Sequence, residues 1–186
     1  MKQGVYTIKK NKKIARNTME MVLAGDTSPL TAPGQFINIR LEGFFLRRPI
    51  SVCDWEEGKT TIIYKIVGRG TEALSRMLPG QKLDVLSGLG NGYDISKAGT
   101  RPLLIGGGAG VPPMYGLAKA LLASGVVPQV ILGFNTKEEV FYDSEFQALG
   151  VGLTLVTADG SAGEKGFVTD VMKQKEMCIR DSDMTV

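Results

Sequence analysis

Apolar and polar positions in the first half of the chain alternate in short runs separated by turn residues. Phe36, Ile37, Asn38, Ile39 and Arg40 show the pattern, and Thr61, Ile62, Ile63, Tyr64 and Lys65 repeat it. A period of two places every second side chain on one face of a strand. Read this way, the sequence predicts strands at 5–9, 18–23, 35–41, 50–54, 60–67 and 82–86, with Pro33-Gly34 and Pro79-Gly80 as turns ahead of two of them. Short strands at this spacing predict a small antiparallel barrel, whose closure removes exposed edges. One helix is predicted at 71–77, with Thr71 as its N-cap and Ala73, Leu74 and Met77 on its apolar face.

After Arg101 the rhythm changes. A buried strand at 102–105 runs into a glycine-rich turn. A helix follows at 112–124, with Met114, Leu117, Ala118, Leu121 and Leu122 as its stripe and Gly125 closing it. Strands at 129–133 and 153–157 alternate with helical segments at 144–148 and 169–175, the rhythm of a parallel sheet. The expected organisation is an α/β two-domain protein: an antiparallel barrel over 1–98, then an incomplete parallel α/β domain over 99–176. Residues 177–186, beginning Met177-Cys178-Ile179-Arg180, fit neither pattern and are expected to be a non-native tail on a truncated chain.

Composition narrows the chemistry. The chain has 186 residues, 43% hydrophobic and 22% charged, as in ordinary globular proteins. Its 24 glycines point to tight turns and close backbone approaches. There is no histidine and there are two cysteines, Cys53 and Cys178, so imidazole bases, histidine triads and cysteine-rich metal knuckles are excluded and no metal ligands are assigned. The net charge of +3 is scattered, and its densest run, Lys9 to Lys13, is expected to be a solvated strand end or turn without a nucleic-acid platform. No apolar run approaches the ~20 residues of a membrane span, and Met1-Lys2-Gln3-Gly4 lacks the apolar stretch of a signal peptide. A cytoplasmic location is expected.

Three marked segments carry the candidate chemistry. Gly106-x-Gly108-x-Gly110-x-x-Pro113 follows a strand and opens a helix, the setting in which glycines admit a pyrophosphate and the helix dipole attracts its charge. Arg47-Arg48-Pro49-Ile50-Ser51 joins guanidinium groups suited to bidentate phosphate contact to a rigid proline and a hydroxyl, a combination that suits a flavin nucleotide. Gly68-Arg69-Gly70-Thr71 adds backbone amides at a helix start, and Leu89-Gly90-Asn91-Gly92-Tyr93 is a turn able to lie along a flavin or merely to link. The acidic residue that would bind a ribose 2′-hydroxyl after the second strand of the parallel sheet is absent. Asn135, Thr136 and Lys137 stand there, so residue chemistry leaves NAD and NADP open. Hydride transfer between a nicotinamide and a flavin needs no histidine, because the cofactors carry that chemistry.

These segments, together with Pro33-Gly34-Gln35-Phe36, Gly90-Asn91-Gly92, Asp159-Gly160-Ser161 and Gly166-Phe167-Val168-Thr169, resemble the ferredoxin-reductase superfamily. More narrowly, the chain resembles the electron-transfer subunits of NAD-dependent (class 1B) dihydroorotate dehydrogenases over residues 3–174. The resemblance implies FAD held by Arg48, Pro49, Ile50 and Ser51, by Ile63, Tyr64 and Lys65, and by Gly70 and Thr71. It also implies NAD at Gly106, Gly108, Gly110 and Pro113, with Ser51 as the catalytic residue, hydrogen-bonding near the flavin's reactive nitrogen. It further implies a [2Fe-2S] cluster in the full-length protein and a hetero-oligomer with an FMN-containing catalytic subunit that oxidises dihydroorotate in pyrimidine biosynthesis. Two departures stand out: Ser87-Gly88-Leu89-Gly90-Asn91-Gly92 replaces the family's Gly-Pro-Leu-Gly-Asn-Gly, and the four cysteines of such a cluster are missing. The alternatives are a related ferredoxin-, sulfide- or hydrogenase-type NAD(P)H flavin reductase subunit, and a nucleotide-binding fragment without activity.

Overall fold

The structure is a computed structural model that describes residues 1–178. Residues 179–186 of the expected tail lie outside the described residues. The chain forms two compact units that meet in sequence between Tyr93 and Asp94.

In the first unit, β1 (Lys2–Ala15), β2 (Thr18–Ala24), β3 (Phe36–Arg40), β4 (Arg48–Glu56), β5 (Lys59–Lys65) and β6 (Lys82–Leu89) form a closed barrel in the order β1-β2-β5-β4-β3-β6. Every pairing is antiparallel. The period-two pattern explains the core: Ile37 and Ile39, Ile50 and Val52, Ile62 and Tyr64, and Leu83 and Val85 each project inward from alternate positions of one strand. The buried carboxylate of Glu20 on β2 is paired with Lys10 Nζ at 2.5 Å, as burial of a charge demands. Cys53 is buried in β4.

Two elements differ from the sequence expectation. The lysine run lies inside the long β1, not at a strand end. β1 pairs with β6 through Thr7 and with β2 from Thr7 onward, with irregularities after Ile8 and Lys13. Closing the barrel requires one strand to serve both neighbours, and exposed lysines are compatible with its outer face. The helix α1 spans Arg69–Ser75, so Thr71 is not its N-cap. Gly68 holds that position, and Thr71, the third helical residue, accepts from the amides of Val67 and Gly68 at 3.0 and 3.3 Å, closing the turn from within.

The second unit carries β7 (Leu103–Gly107), β8 (Gln129–Phe134), β9 (Gly152–Thr157) and the short β10 (Glu164–Lys165), a parallel sheet in the order β10-β9-β8-β7. β10 has no counterpart in the sequence expectation, because two exposed residues carry no periodic signal. The connecting helices are α2 (Val111–Ala123), α3 (Asp143–Ala148) and α4 (Val168–Cys178). Gly125, at φ +84°, ends α2 in the left-handed conformation that glycine adopts without strain, while its amide reaches Leu122 O at 3.0 Å. No described helix is long and apolar enough to cross a membrane.

Candidate cofactor-binding site

β3 and β4 are joined by an exposed loop in which Phe44, Phe45 and Leu46 precede the two arginines, and Phe45 is fully exposed. Beside this loop lies a cleft of about 460 Å³ lined by Gly43, Phe44, Phe45, Arg48, Val67, Gly68, Arg69, Gly70 and Thr71. The lining holds two guanidinium groups and no carboxylate, so the cleft favours an anion, and its volume falls in the range of small-molecule sites.

The two arginines are used differently. Arg47 Nη2 donates to Asp84 Oδ1 and Oδ2 at 3.0 and 3.1 Å, and its Nη1 reaches the carbonyls of Asn38 and Asp84 at 3.3 and 3.2 Å. Its charge is matched and both of its Nη atoms are engaged. Among the described residues Arg48 instead donates only to the carbonyls of Leu46 and Arg47, at 2.6 and 3.4 Å, and its guanidinium lies 5.1 Å from the centre of the Phe44 ring. No carboxylate pairs with Arg48 among the described residues. The guanidinium also rests on Gly70, where a Cβ would stand 2.1 Å from Nε. The glycine of the second motif thus makes room for the arginine of the first.

The structure separates the other expected flavin residues. Ile50 (8% exposed), Ile63 and Tyr64 (each 5%) turn into packed surroundings. Tyr64 donates its hydroxyl to Asn11 Oδ1 at 3.0 Å, and burial raises its pKa well above the ordinary phenol value. Asn11 Nδ2 in turn reaches the carbonyls of Leu74, Ser75 and Met77 at 3.0, 3.3 and 2.9 Å, tying off the C-terminal end of α1. Pro49 and Ser51 face away from the core, opposite Asn38 and Phe36 respectively in the β3–β4 ladder. Lys65 ends β5 half-buried. Arg48, Gly70 and Thr71 come together in the cleft.

Gly43, Phe44 and Phe45 are cleft residues that the sequence reading did not single out, whereas Arg69 lay inside a marked segment without a role of its own. The apolar pair Phe44-Phe45 beside two arginines was their available signal. The Pro33-Gly34-Gln35-Phe36 motif proves to be a brace: Gln35 accepts from the amides of Thr31 and Ala32 at 2.7 and 3.2 Å and donates to Gly90 O at 3.1 Å. It holds the Gly90-Asn91-Gly92 turn against the start of β3, where Phe36 packs on Gly90.

In the second unit the glycine loop follows β7 as expected, but its glycines differ. A Cβ on Gly106 would meet Val111 Cα at 3.0 Å and Gly110 O at 3.2 Å, so Gly106 lets helix and strand approach closely. Gly107 and Gly110 face open space, and Gly108 has φ +48°. Pro112 and Pro113 occupy the second and third helical positions and supply no N–H. The Val111 amide is used by Gly108 O. An anion here therefore depends on the amides of Gly108, Ala109 and Gly110 and on the α2 dipole, a narrower donor set than the sequence argument assumed. Two further loops leave the same carboxyl edge of the sheet. They are tied together where Lys137 N donates to Ser161 Oγ at 2.7 Å and Ser161 Oγ donates to Asp159 Oδ1 at 2.6 Å, which lowers the Asp159 pKa. Open parallel sheets bind ligands at this edge.

A barrel with a cationic cleft, followed by a parallel sheet with a glycine loop, is the fold of FAD/NAD-binding proteins of the ferredoxin-reductase type. Solved structures agree on the fold. An NADH-dependent reduced ferredoxin-NADP oxidoreductase superposes with a TM-score of 0.83 at 35% identity, covering 92% of this chain and 63% of that one. A ferredoxin NADP+ reductase from Neisseria gonorrhoeae with bound FAD and NADP gives a TM-score of 0.81 at 17% identity, covering 97% and 79%. The chain thus spans less than two thirds of the first of these structures. No family model matches the chain.

Among curated relatives, the electron transfer subunit of dihydroorotate dehydrogenase B (NAD(+)) from Geobacillus sp. (strain WCH70) is 45% identical, with 94% of this chain and 71% of the relative aligned. The subunit of the same name from Fusobacterium nucleatum is also 45% identical, over 94% and 70%. The chain belongs to this family of electron transfer subunits and is a flavin oxidoreductase component.

Proposed function

We propose that the first unit holds FAD, the second holds NAD(H), and the protein passes electrons between them and onward to an FMN-containing dihydroorotate dehydrogenase catalytic subunit. The supporting observation is Arg48: an unneutralised guanidinium in a cleft without carboxylates, seated on a glycine that leaves it space. Such a group suits the pyrophosphate of a dinucleotide. Bound FAD would supply a two-electron acceptor for the hydride of a nicotinamide.

The chain's residues do the holding. Arg48 neutralises the flavin pyrophosphate, with Gly70 and Thr71 lining the cleft beside it. Pro49, Ile50 and Ser51 form the strand edge toward the ring, and the Ser51 hydroxyl is the group offered to the flavin. Ile63, Tyr64 and Lys65 contribute through their main chain, because the side chains of Ile63 and Tyr64 are buried. Gly108 and Gly110 receive the NAD pyrophosphate, while Gly106 and Pro113 set the approach of α2 to the sheet.

The domain assignment follows: a FAD-binding barrel over 1–98 and a NAD-binding domain over 99–176. A cytoplasmic role in pyrimidine biosynthesis accords with the family. The [2Fe-2S] centre does not fit this chain: two cysteines cannot supply four ligands, and the described residues contain no cluster of metal-binding side chains. Anaerobic addition of NADH to the FAD-reconstituted protein tests the reading. Bleaching of the flavin absorbance is expected, and an unchanged spectrum with flavin bound would reduce the protein to a nucleotide-binding module.

A further inference from the structure

The pairing of Arg47 with Asp84 does more than close the barrel. Asp84, on β6, accepts from both sides: Gln3 Nε2 of β1 reaches its two oxygens at 2.9 and 3.0 Å, and Arg47 Nη2 reaches the same oxygens at 3.0 and 3.1 Å. Arg40 of β3 approaches to 4.0 Å. With its two carbonyl bonds added, the Arg47 guanidinium is anchored to β3 and β6 together and is 21% exposed. Nη2 spans both carboxylate oxygens while Nη1 holds the two carbonyls, and charge-assisted contacts from both ends of the guanidinium fix its orientation as well as its position.

The consequence reaches the neighbouring residue. The carbonyl of Arg47 is one of the two acceptors of Arg48 Nη1, and the other, Leu46 O, lies just before it in the chain. With Arg47 pinned across the barrel wall, both carbonyls are presented to Arg48, and the Arg48 side chain is directed toward Gly70 and Phe44. We propose that Asp84 and Arg47 are positioning residues for the cofactor cleft, acting on the ligand only through Arg48. Asp84 consumes the charge of one arginine and, by doing so, leaves the adjacent one aimed and unneutralised. This rests on the FAD reading above.

The test is a flavin-binding titration of the full chain with single and combined variants. Arg48→Ala should lose the most affinity, and Asp84→Asn and Arg47→Ala should each lose about fivefold. In the Arg48→Ala background the same two changes should add less than about twofold, because residues that act through one another are not additive. Arg47→Lys, which keeps the charge but not the paired geometry, should fall between wild type and Arg47→Ala and guards against a variant that does not fold. The melting temperature of the flavin-free protein is followed in parallel, since a purely structural role lowers it equally in both backgrounds. Full additivity of the affinity losses, or lowered melting temperatures with unchanged affinity, overturns the positioning role and leaves the FAD reading standing. If Arg48→Ala itself leaves flavin affinity unchanged, both fail.

Discussion

The guanidinium of Arg48 lies against the backbone of Gly70, so that a Cβ at residue 70 would sit 2.1 Å from Nε and 2.6 Å from Nη2. Gly70 is helical and buried, within α1. The obstructing atoms are the end of a flexible side chain, so an added methyl displaces the arginine and not the fold.

Gly70→Ala should therefore separate stability from binding. Alanine favours a helix over glycine by up to about 1 kcal/mol, so the melting temperature should hold or rise. Flavin affinity should fall about tenfold, the worth of a charge-assisted contact near 1.4 kcal/mol. Thermal melts and flavin titration on one sample check this, and a variant that binds flavin normally counts against the assigned cleft.

The glycine loop makes a contrasting pair. At Gly106 a methyl group meets backbone atoms of Gly110 and Val111, which yield only by shifting the start of α2, whereas at Gly107 it meets nothing within 4 Å. Gly106→Ala should cost about 1–3 kcal/mol in urea unfolding, the range for overpacking, and Gly107→Ala should be near neutral. Equal costs at the two positions would contradict the packing role of Gly106.

Asn11 links Tyr64 to three carbonyls at the end of α1. Asn11→Ala leaves these partners without it and should lower stability by about 2 kcal/mol, while Tyr64→Phe, which removes one hydroxyl, should cost about 1 kcal/mol. In the double variant the losses should be less than additive. Tyr64→Phe should leave flavin affinity unchanged in the same titration, since its side chain is turned into the core.

Asp26 provides a pH marker. Lys2 Nζ donates to its Oδ2 at 2.7 Å and the Ser28 amide to its Oδ1 at 2.9 Å, and these bonds hold its pKa at about 2. The folded-state value lies below the unfolded one of about 3.9, so the contribution is complete above that pH and is lost as the pH falls through about 2. Asp26→Asn should flatten the decline in urea midpoint between pH 4 and pH 2, and an identical decline in both proteins would refute the assignment. The effect is small because the pair is exposed to solvent.

Much of the fold was legible because its signals are local. Ile37 and Ile39, or Leu83 and Val85, announce a strand and its buried face within a few residues, and Gly125 marks the end of α2 by its own conformational freedom. The lysines of β1 misled because charge at 9–13 resembles a turn, while the pairing that makes them a strand comes from β2 and from closure of the barrel. Thr71 looked like a cap because it is a hydroxyl beside a helix, but the helix had begun two residues earlier at Arg69.

The order of motifs, the alternation of the barrel strands and the strand–glycine–helix passage at 103–123 were determined by the sequence itself, since each depends on neighbours along the chain. Only tertiary structure decided which arginine stays available. Arg47 and Arg48 are chemically identical neighbours, and Asp84, 37 positions away, singles out Arg47 through the register of β3 and β6. Likewise, the value of Gly70 lies in the side chain of Arg48, and Tyr64 faces inward because of the barrel's pairing. Such choices arise from contacts between segments far apart in the chain, which no local pattern of residues encodes.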